Sequence, residues 1–379
     1  MSAPTAPFRG DWLSRLGGPL TVLSRVTMDG QVLDVISGTV TYDEESTPHV
    51  QASLQVRIPE NVAALDAFDP RLNKRLRITT GYRVPGDVEE QLLCDLILTD
   101  RIVRRPGDVM ELRAASDEQR ILDTRPLGGV KTFTSASDGG WAIRDLLTWD
   151  QVSWAALGGA PPVEVSAFGG FVPDGDTVVI NREDDLWNAI QDVADRIGAW
   201  VYHDGMGPTS GAFHVRRQPL NAGSAAAAFT VGPTGTITSS ESQLGREDFA
   251  NAVVVIYEWY QAGQQQSASG YAEITSGPYA VSTVGRKTKT VTIRRKGSAS
   301  MAKAAASSMV RRSVTRGRSA SLEFEHAPFW LRPGHTITAQ FVTGAPERHL
   351  VSRVDFDLPS GRGHVRTRLP ENVTITTGE

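Results

Sequence analysis

One cysteine, Cys94, stands in 379 residues. A lone thiol excludes an intramolecular disulfide framework and a multi-cysteine zinc site. It lies in the alternating run Leu92-Leu93-Cys94-Asp95-Leu96-Ile97-Leu98, where it reads as a small apolar strand residue. No stretch approaches the length of apolar chain that crosses a bilayer, so no stable membrane insertion is expected. The N-terminus lacks a charged segment followed by an apolar one, so no signal peptide is expected, and folding is placed in a cytoplasm. A basic excess is missing too. The chain has 39 Lys+Arg against 43 Asp+Glu, a formal net charge of −4, which gives no support to a duplex-DNA or RNA binder. Arg294-Arg295-Lys296 and Arg311-Arg312 are short clusters that read as solvated surface.

Catalytic signatures are equally scarce. A nucleophile elbow, a phosphate loop, a zincin helix and a dinucleotide fingerprint are all absent. Gly169-Gly170 and Gly361-Arg362-Gly363 lack the spacing and following helix that cradle phosphate. Of the seven histidines, His203 and His214 flank a predicted hairpin turn. Two imidazoles without a further ligand make a poor metal site. Asp355 and Asp357 share one face of a predicted strand; that face reads as solvated or lumen-lining rather than as a glycosidase pair. The expectation is a non-enzyme with no catalytic, cofactor-binding or metal residues and no cofactor.

What the sequence has in quantity is turn chemistry: 36 Gly and 21 Pro spread along the chain, favouring many short strands. Val50 to Ile58 alternates strictly, with Val50, Ala52, Leu54, Val56 and Ile58 on one face, a half-buried strand. Asp29-Gly30, Pro85-Gly86-Asp87 and Pro106-Gly107-Asp108 punctuate a meander of hairpins running to Ala114. The middle of the chain turns helical. Leu186, Ile190, Val193 and Ile197 form an apolar stripe on a helix from Asp184 to Gly198, with acidic residues at its start and glycine at its end. A hairpin, Ala199 to Tyr202 and Ala212 to Arg216, follows; Trp187 and Trp200 read as core of this unit. After a small-residue linker at Asn221 to Ala228 the strands resume, interrupted by a helix from Ala299 to Ser313. Trp330, in a loop beside Phe329, reads as an interface anchor.

The two β regions repeat a motif order. Thr39-Val40-Thr41-Tyr42 matches Thr290-Val291-Thr292-Ile293, and Ala52-Ser53-Leu54-Gln55-Val56 matches Ala320-Ser321-Leu322-Glu323-Phe324. Arg77-Ile78-Thr79 matches Thr336-Ile337-Thr338, Asp100-Arg101-Ile102 matches Ser352-Arg353-Val354, and Val109 to Arg113 matches Val365 to Arg368. The predicted fold is mainly β with an α+β insert: two tube-like β-barrel domains related by duplication, plus a small helix-and-hairpin domain. The expected boundaries are 1–123 for the first barrel, 124–220 for the α+β domain, 221–370 for the second barrel with an inserted helix at 299–313, and 371–379 for a C-terminal tail.

These strand blocks, the capped helix followed by Trp200-Val201-Tyr202 and Phe213-His214-Val215, and the run Leu331-Arg332-Pro333-Gly334-His335-Thr336-Ile337 before Leu350 to Val354 resemble phage tail hub proteins. That family, of the baseplate hub or tail tip of long-tailed phages, shares its fold with type VI secretion spikes. The resemblance implies a structural virion subunit in which three copies form a ring of six similar domains, joining a sixfold tail tube to the tip and leaving a channel for DNA. It also implies an acidic or neutral lumen, since a basic one would hold the DNA backbone. The partners it implies are two further copies in a homotrimer, the distal tail protein or last tail-tube ring, the tape measure protein and other tail-tip or fibre proteins. DNA passes only in transit. With only a short polar tail after Leu369, no fused spike or hydrolase is expected. Two other classes stay open. A tail-borne cell-wall hydrolase would show paired carboxylates or a zinc motif. A carbohydrate-binding tail protein would cluster exposed aromatics on one sheet, where here they are dispersed.

Overall fold

The computed structural model describes residues 20–378 apart from 59–61, 85, 107, 126–128, 150–153, 155–158, 169, 173–176, 182–184, 233–235, 245–248, 295, 316–317 and 370–373. The chain is mainly β with a few helices. Strands β1 (Thr21–Met28), β2 (Gln31–Leu33), β3 (Val35–Asp43), β4 (Val50–Arg57), β5 (Arg75–Val84), β6 (Asp87–Arg104) and β7 (Val109–Ala115) form the first block. In β4 the alternation read from the sequence is realised residue by residue, buried and exposed in turn. The β1–β2 turn is Asp29-Gly30, both at positive φ (49° and 81°), as a tight hairpin turn requires.

A mixed unit follows: helix α1 (Glu118–Asp123), β8 (Lys131–Thr134), α2 (Gly139–Leu147), β9 (Val163–Val165), β10 (Thr177–Ile180), α3 (Leu186–Ile197), β11 (Ala199–His203) and β12 (Phe213–Arg217). The expected helix is therefore α3, with bounds trimmed at both ends. Asp185 is its N-cap, accepting from the Asn188 amide at 3.1 Å, and Gly198 closes it at φ 66°. Asp184 lies outside the described residues. Trp187 is buried in the unit's core as expected, whereas Trp200 is only half-buried and stacks on Tyr202.

The chain then runs through β13 (Ala227–Thr230), β14 (Ile237–Leu244), β15 (Ala252–Gln261), β16 (Gln264–Ile274), β17 (Thr288–Ile293), α4 (Ala299–Thr315), β18 (Arg318–Phe324), β19 (Thr336–Gln340), β20 (Glu347–Leu358), β21 (Gly363–Arg368) and β22 (Ile375–Gly378). A 13-stranded sheet takes the order β14-β18-β21-β20-β3-β4-β7-β6-β5-β1-β2, with β19 on β20 and β13 on β19. Among the described residues no strand pairing closes this path into a barrel.

The duplication is written in the topology. The first block runs β3-β4-β7-β6-β5 and the second β14-β18-β21-β20-β19, with the same antiparallel pairings. Bulges recur at equivalent places: Val35/Ser37 in β3 and Ile237/Ser239 in β14, then Leu98/Asp100 in β6 and Val351/Arg353 in β20. Bulges are positional devices that a chance likeness of hairpins would not share. Four of the five sequence matches fall on equivalent strands. The fifth does not: Thr290–Ile293 belongs to β17, outside the large sheet, and β14 takes the place equivalent to β3. Its polar Thr238-Ser239-Ser240-Glu241-Ser242-Gln243 concealed the match.

More than a helix is inserted between β14 and β18. A second sheet, β17-β15-β16-β22, packs on α4 with its own core of Val253, Val255, Tyr257, Ile274, Met301, Ala305 and Val310. Ile375–Gly378, expected as part of a polar tail, is the outer strand of that sheet. Trp330, expected as an interface anchor, is instead buried in the main core, 6.3 Å from Phe229. Cys94 is buried there too.

Both blocks share one core, in which Leu54 and its equivalent Leu322 are each fully buried. Leu54→Ala and Leu322→Ala should each cost about 2–5 kcal/mol. In urea unfolding both should lower the midpoint of the same transition; two separable transitions would show that the blocks fold independently.

Candidate functional site

The blocks meet where β3 pairs antiparallel with β20, from Gly38 opposite Leu358 to Asp43 opposite Arg353. On the core side Val40, Tyr42, Val354 and Phe356 are fully buried, with Tyr42 edge-on to Phe356 at 6.0 Å. The opposite face carries a polar ladder. Thr39 Oγ1 donates to Asp357 Oδ1 at 3.0 Å and Thr41 Oγ1 to Asp355 Oδ1 at 2.6 Å. Arg353 donates to both Asp355 oxygens at 2.9 Å and lies 3.6 Å from Asp43. His364 on β21 approaches Asp355 at 3.5 Å and contacts Ser321 Oγ of β18 at 2.6 Å. Burial opposes ionisation of Asp355, but hydrogen bonds from Arg353 and Thr41 outweigh it and hold the carboxyl below its usual range.

Asp355 and Asp357 do share one face, as their spacing indicated. Each is engaged by β3, so what they do chemically is fasten the blocks together. The sequence could not show this, because their partners Thr39 and Thr41 are more than three hundred residues away. Farther along the same face, Glu111 is bound by Arg104 at 3.0 Å and Arg113 at 2.7 Å. At these two places carboxylates and guanidinium groups are paired locally.

A second polar cluster fastens the mixed unit to the first block. Glu118 is completely buried and accepts from the His203 and His49 amides at 2.9 and 3.2 Å and from Ser116. Arg75 bridges Asp117 (both oxygens at 3.0 Å) and Asp95 (2.7 Å). The Asp95 amide donates to the Gly205 carbonyl at 2.7 Å. His203 Nδ1 and His214 Nε2 both approach Asp204, at 3.9 and 3.5 Å, while their other ring nitrogens face different carboxylates. His203 Nε2 is 3.8 Å from Asp117, and His214 Nδ1 is 3.0 Å from Glu164. Among the described residues no group of three His, Cys, Asp or Glu side chains is placed to hold a metal ion, and no helix is long and apolar enough to cross a membrane.

His49 was not singled out from the sequence. It lies between Tyr42, Trp200 and Tyr202, with its Nδ1 2.6 Å from the Asp43 carbonyl. Burial, only partly offset by that hydrogen bond, pushes its imidazole down to about 3. The unfolded chain takes up this proton near pH 6.5 and the folded chain only near 3. The folded state therefore loses about 1.4 kcal/mol per pH unit between pH 6.5 and about 3, and nothing outside that window. Between pH 7 and pH 5 the unfolding free energy of the native protein should fall by about 2 kcal/mol more than that of His49→Gln. Equal falls in urea titrations at the two pH values would remove His49 from this role. The buried carboxyls of Glu44 and Glu118, raised by burial, act in the opposite direction but are common to both proteins.

Neither a protein-family profile nor a curated protein matches the sequence. Solved structures do match the fold. A tail protein from Neisseria meningitidis MC58 superposes with a TM-score of 0.58 at 11% identity, covering 92% of this chain and 96% of that one. The 43 kDa tail protein of prophage MuSo2 from Shewanella oneidensis gives 0.60 at 11% identity, covering 92% and 98%. A chain of the Francisella PdpA-VgrG complex gives 0.53 at 8% identity, with 96% of this chain matched to 61% of that one. The resemblance read from the sequence stands at the level of fold: this chain is folded as phage tail proteins are.

Proposed function

We propose that the chain is a structural, non-catalytic subunit of a phage tail tip, three copies of which form a hub ring between the tail tube and the tip. The observation that carries this is the pair of equivalent sheet blocks, with the same strand order and two recurring bulges, joined edge to edge within one chain. Three such chains present six equivalent blocks around an axis, which suits a sixfold tube above and a threefold structure below. The pairing of Arg353 with Asp355 and of Arg104 and Arg113 with Glu111 on the polar face supports a channel that lets DNA pass without gripping it, since unpaired basic residues would bind phosphates. Likeness of fold to two phage tail proteins along nearly their whole length supports the same reading. The partners it implies are the distal tail protein or last tail-tube ring, the tape measure protein and tip or fibre proteins.

Mass photometry of the purified chain, followed by cryo-electron microscopy, tests the proposal. The expected result is a threefold ring with a central channel and six similar sheet blocks. A chain that stays monomeric at high concentration and is absent from purified virions overturns it.

A further inference from the structure

The joint within the chain specifies a second joint between chains. β20 uses one edge for two partners: residues 347–350 pair with β19, and residues 353–358 pair with β3. Its equivalent, β6, pairs with β5 as far as Ile97, opposite Arg75, and on its other edge with β7. The backbone bond that ends the first pairing recurs as well, Leu98 N to the Lys74 carbonyl at 2.8 Å and Val351 N to the His335 carbonyl at 2.9 Å. Past that bond, no described strand occupies the edge of β6 that corresponds to the β3 seat on β20. At the far end of the sheet, among the described residues, β14, the equivalent of β3, pairs with β18 and is otherwise touched only where Ile237 bridges Val231, which leaves Ser239–Leu244 with one open edge.

The 3-10 segments Val62–Phe68 and Pro70–Leu72 lie near this part of β6, and Arg101 donates to the Leu65 carbonyl, but both edges are less buried than their counterparts. Phe356 in β20 is fully buried and Val103, its equivalent in β6, is half-buried. Val40 in β3 is fully buried and Ser242, its equivalent in β14, is exposed.

We infer that β14 of one copy pairs antiparallel with residues 101–105 of β6 in the next copy, in the register that β3 and β20 use within the chain. The equivalences fix the rungs. Thr39 faces Ser53 across β3–β4 and Glu241 faces Ser321 across β14–β18, so Glu241 stands where Thr39 does. Likewise Arg104 of β6 stands where Asp357 of β20 does. The Thr39–Asp357 hydrogen bond is therefore replaced between copies by Glu241 opposite Arg104, and Thr41–Asp355 by Gln243 opposite Ile102. Opposite charges directly across an antiparallel pair favour that register. Glu241 is exposed, and Arg104 is 67% exposed while bound to Glu111 at 3.0 Å, so its guanidinium can hold a carboxylate on either side. The occupant is a second copy of this chain, because the seat has the form of a joint the chain already makes with itself. Each copy offers one seat and one strand, so the contact is heterologous and closes only as a ring. This inference rests on the ring proposed above and names the contact that builds it.

Glu241→Cys combined with Arg104→Cys provides the test, since the native Cys94 is buried. Mild oxidation of the assembled protein should give covalently closed trimers on a non-reducing gel. The pair Glu241→Cys with Arg113→Cys, one strand farther in, should not. A second arm does not depend on thiols. Glu241→Arg and Arg104→Glu should each weaken assembly several-fold, and the double variant should restore it. A ring that forms with neither cross-link nor charge rescue overturns the pairing and leaves the ring standing. A chain that stays monomeric at every concentration overturns both.

Discussion

The antiparallel joint of β3 and β20 sets the relation between the two halves of the sheet. Backbone hydrogen bonds alone would tolerate a slip of two residues, which keeps every side chain on its face. The side chains do not tolerate it. Such a slip would separate Thr39 from Asp357 and Thr41 from Asp355 on one face. On the other it would break the contact of Tyr42 with Phe356. One register satisfies both faces, and in that register the two blocks bury their apolar sides in a single core.

Merging the cores obliges polar groups to be settled between the halves. Arg332 stacks over Tyr42 at 4.1 Å and donates to the Phe329 and Leu331 carbonyls. The Tyr42 hydroxyl donates to the Leu93 carbonyl at 2.6 Å. Glu44, on the loop after β3, is buried against Arg368 at 2.7 Å, and Arg368 also donates to the Pro219 carbonyl. A buried ion pair of this kind adds little net stability, but losing one partner costs about 3–5 kcal/mol. It penalises every arrangement that separates the loop after β3 from the end of β21.

How much of this was legible depended on the range over which each signal acts. Period two in Val50 to Ile58 and the capped stripe of α3 are local patterns, and both were read with their buried faces correct. The repeat was found where strands keep an apolar face, as at Ala52 to Val56 and Ala320 to Phe324. It was misplaced at β14, where Ser242 takes the core-facing place of Val40 and Glu241 and Gln243 fill the other face. A run with better strand chemistry, Thr290 to Ile293, took its place although it belongs to the inserted sheet. The polar ladder was half visible: the shared face of Asp355 and Asp357 follows from spacing, while Thr39 and Thr41 become partners only through topology. Trp330 shows the same limit from the other side. A tryptophan in a loop reads as exposed until the loop is seen to fold over the core.

The loss of apolar character in β14 has a physical reason if its edge waits for another copy. Val40 and Tyr42 of β3 are covered from the moment the chain folds, because β20 belongs to the same molecule. Among the described residues β14 has no such partner beyond the bridge of Ile237 to Val231. An apolar edge strand would be a template for indiscriminate pairing, and polar or charged residues are the usual protection. The sequence Thr-Ser-Ser-Glu-Ser-Gln keeps the backbone competent to pair and leaves Glu241 to select the register. The units beside the sheet limit how far such an edge could drift. α4 follows β17 and leads into β18, and it is tied to α3 by Arg312 and Asp195 at 2.6 Å. Arg196 of α3 lies over Tyr257 of the inserted sheet at 5.3 Å. The mixed unit is in turn held to the first block through Glu118 and Arg75. The strand with one open edge is thus carried by a braced frame, and two copies that meet find both halves of the contact already formed.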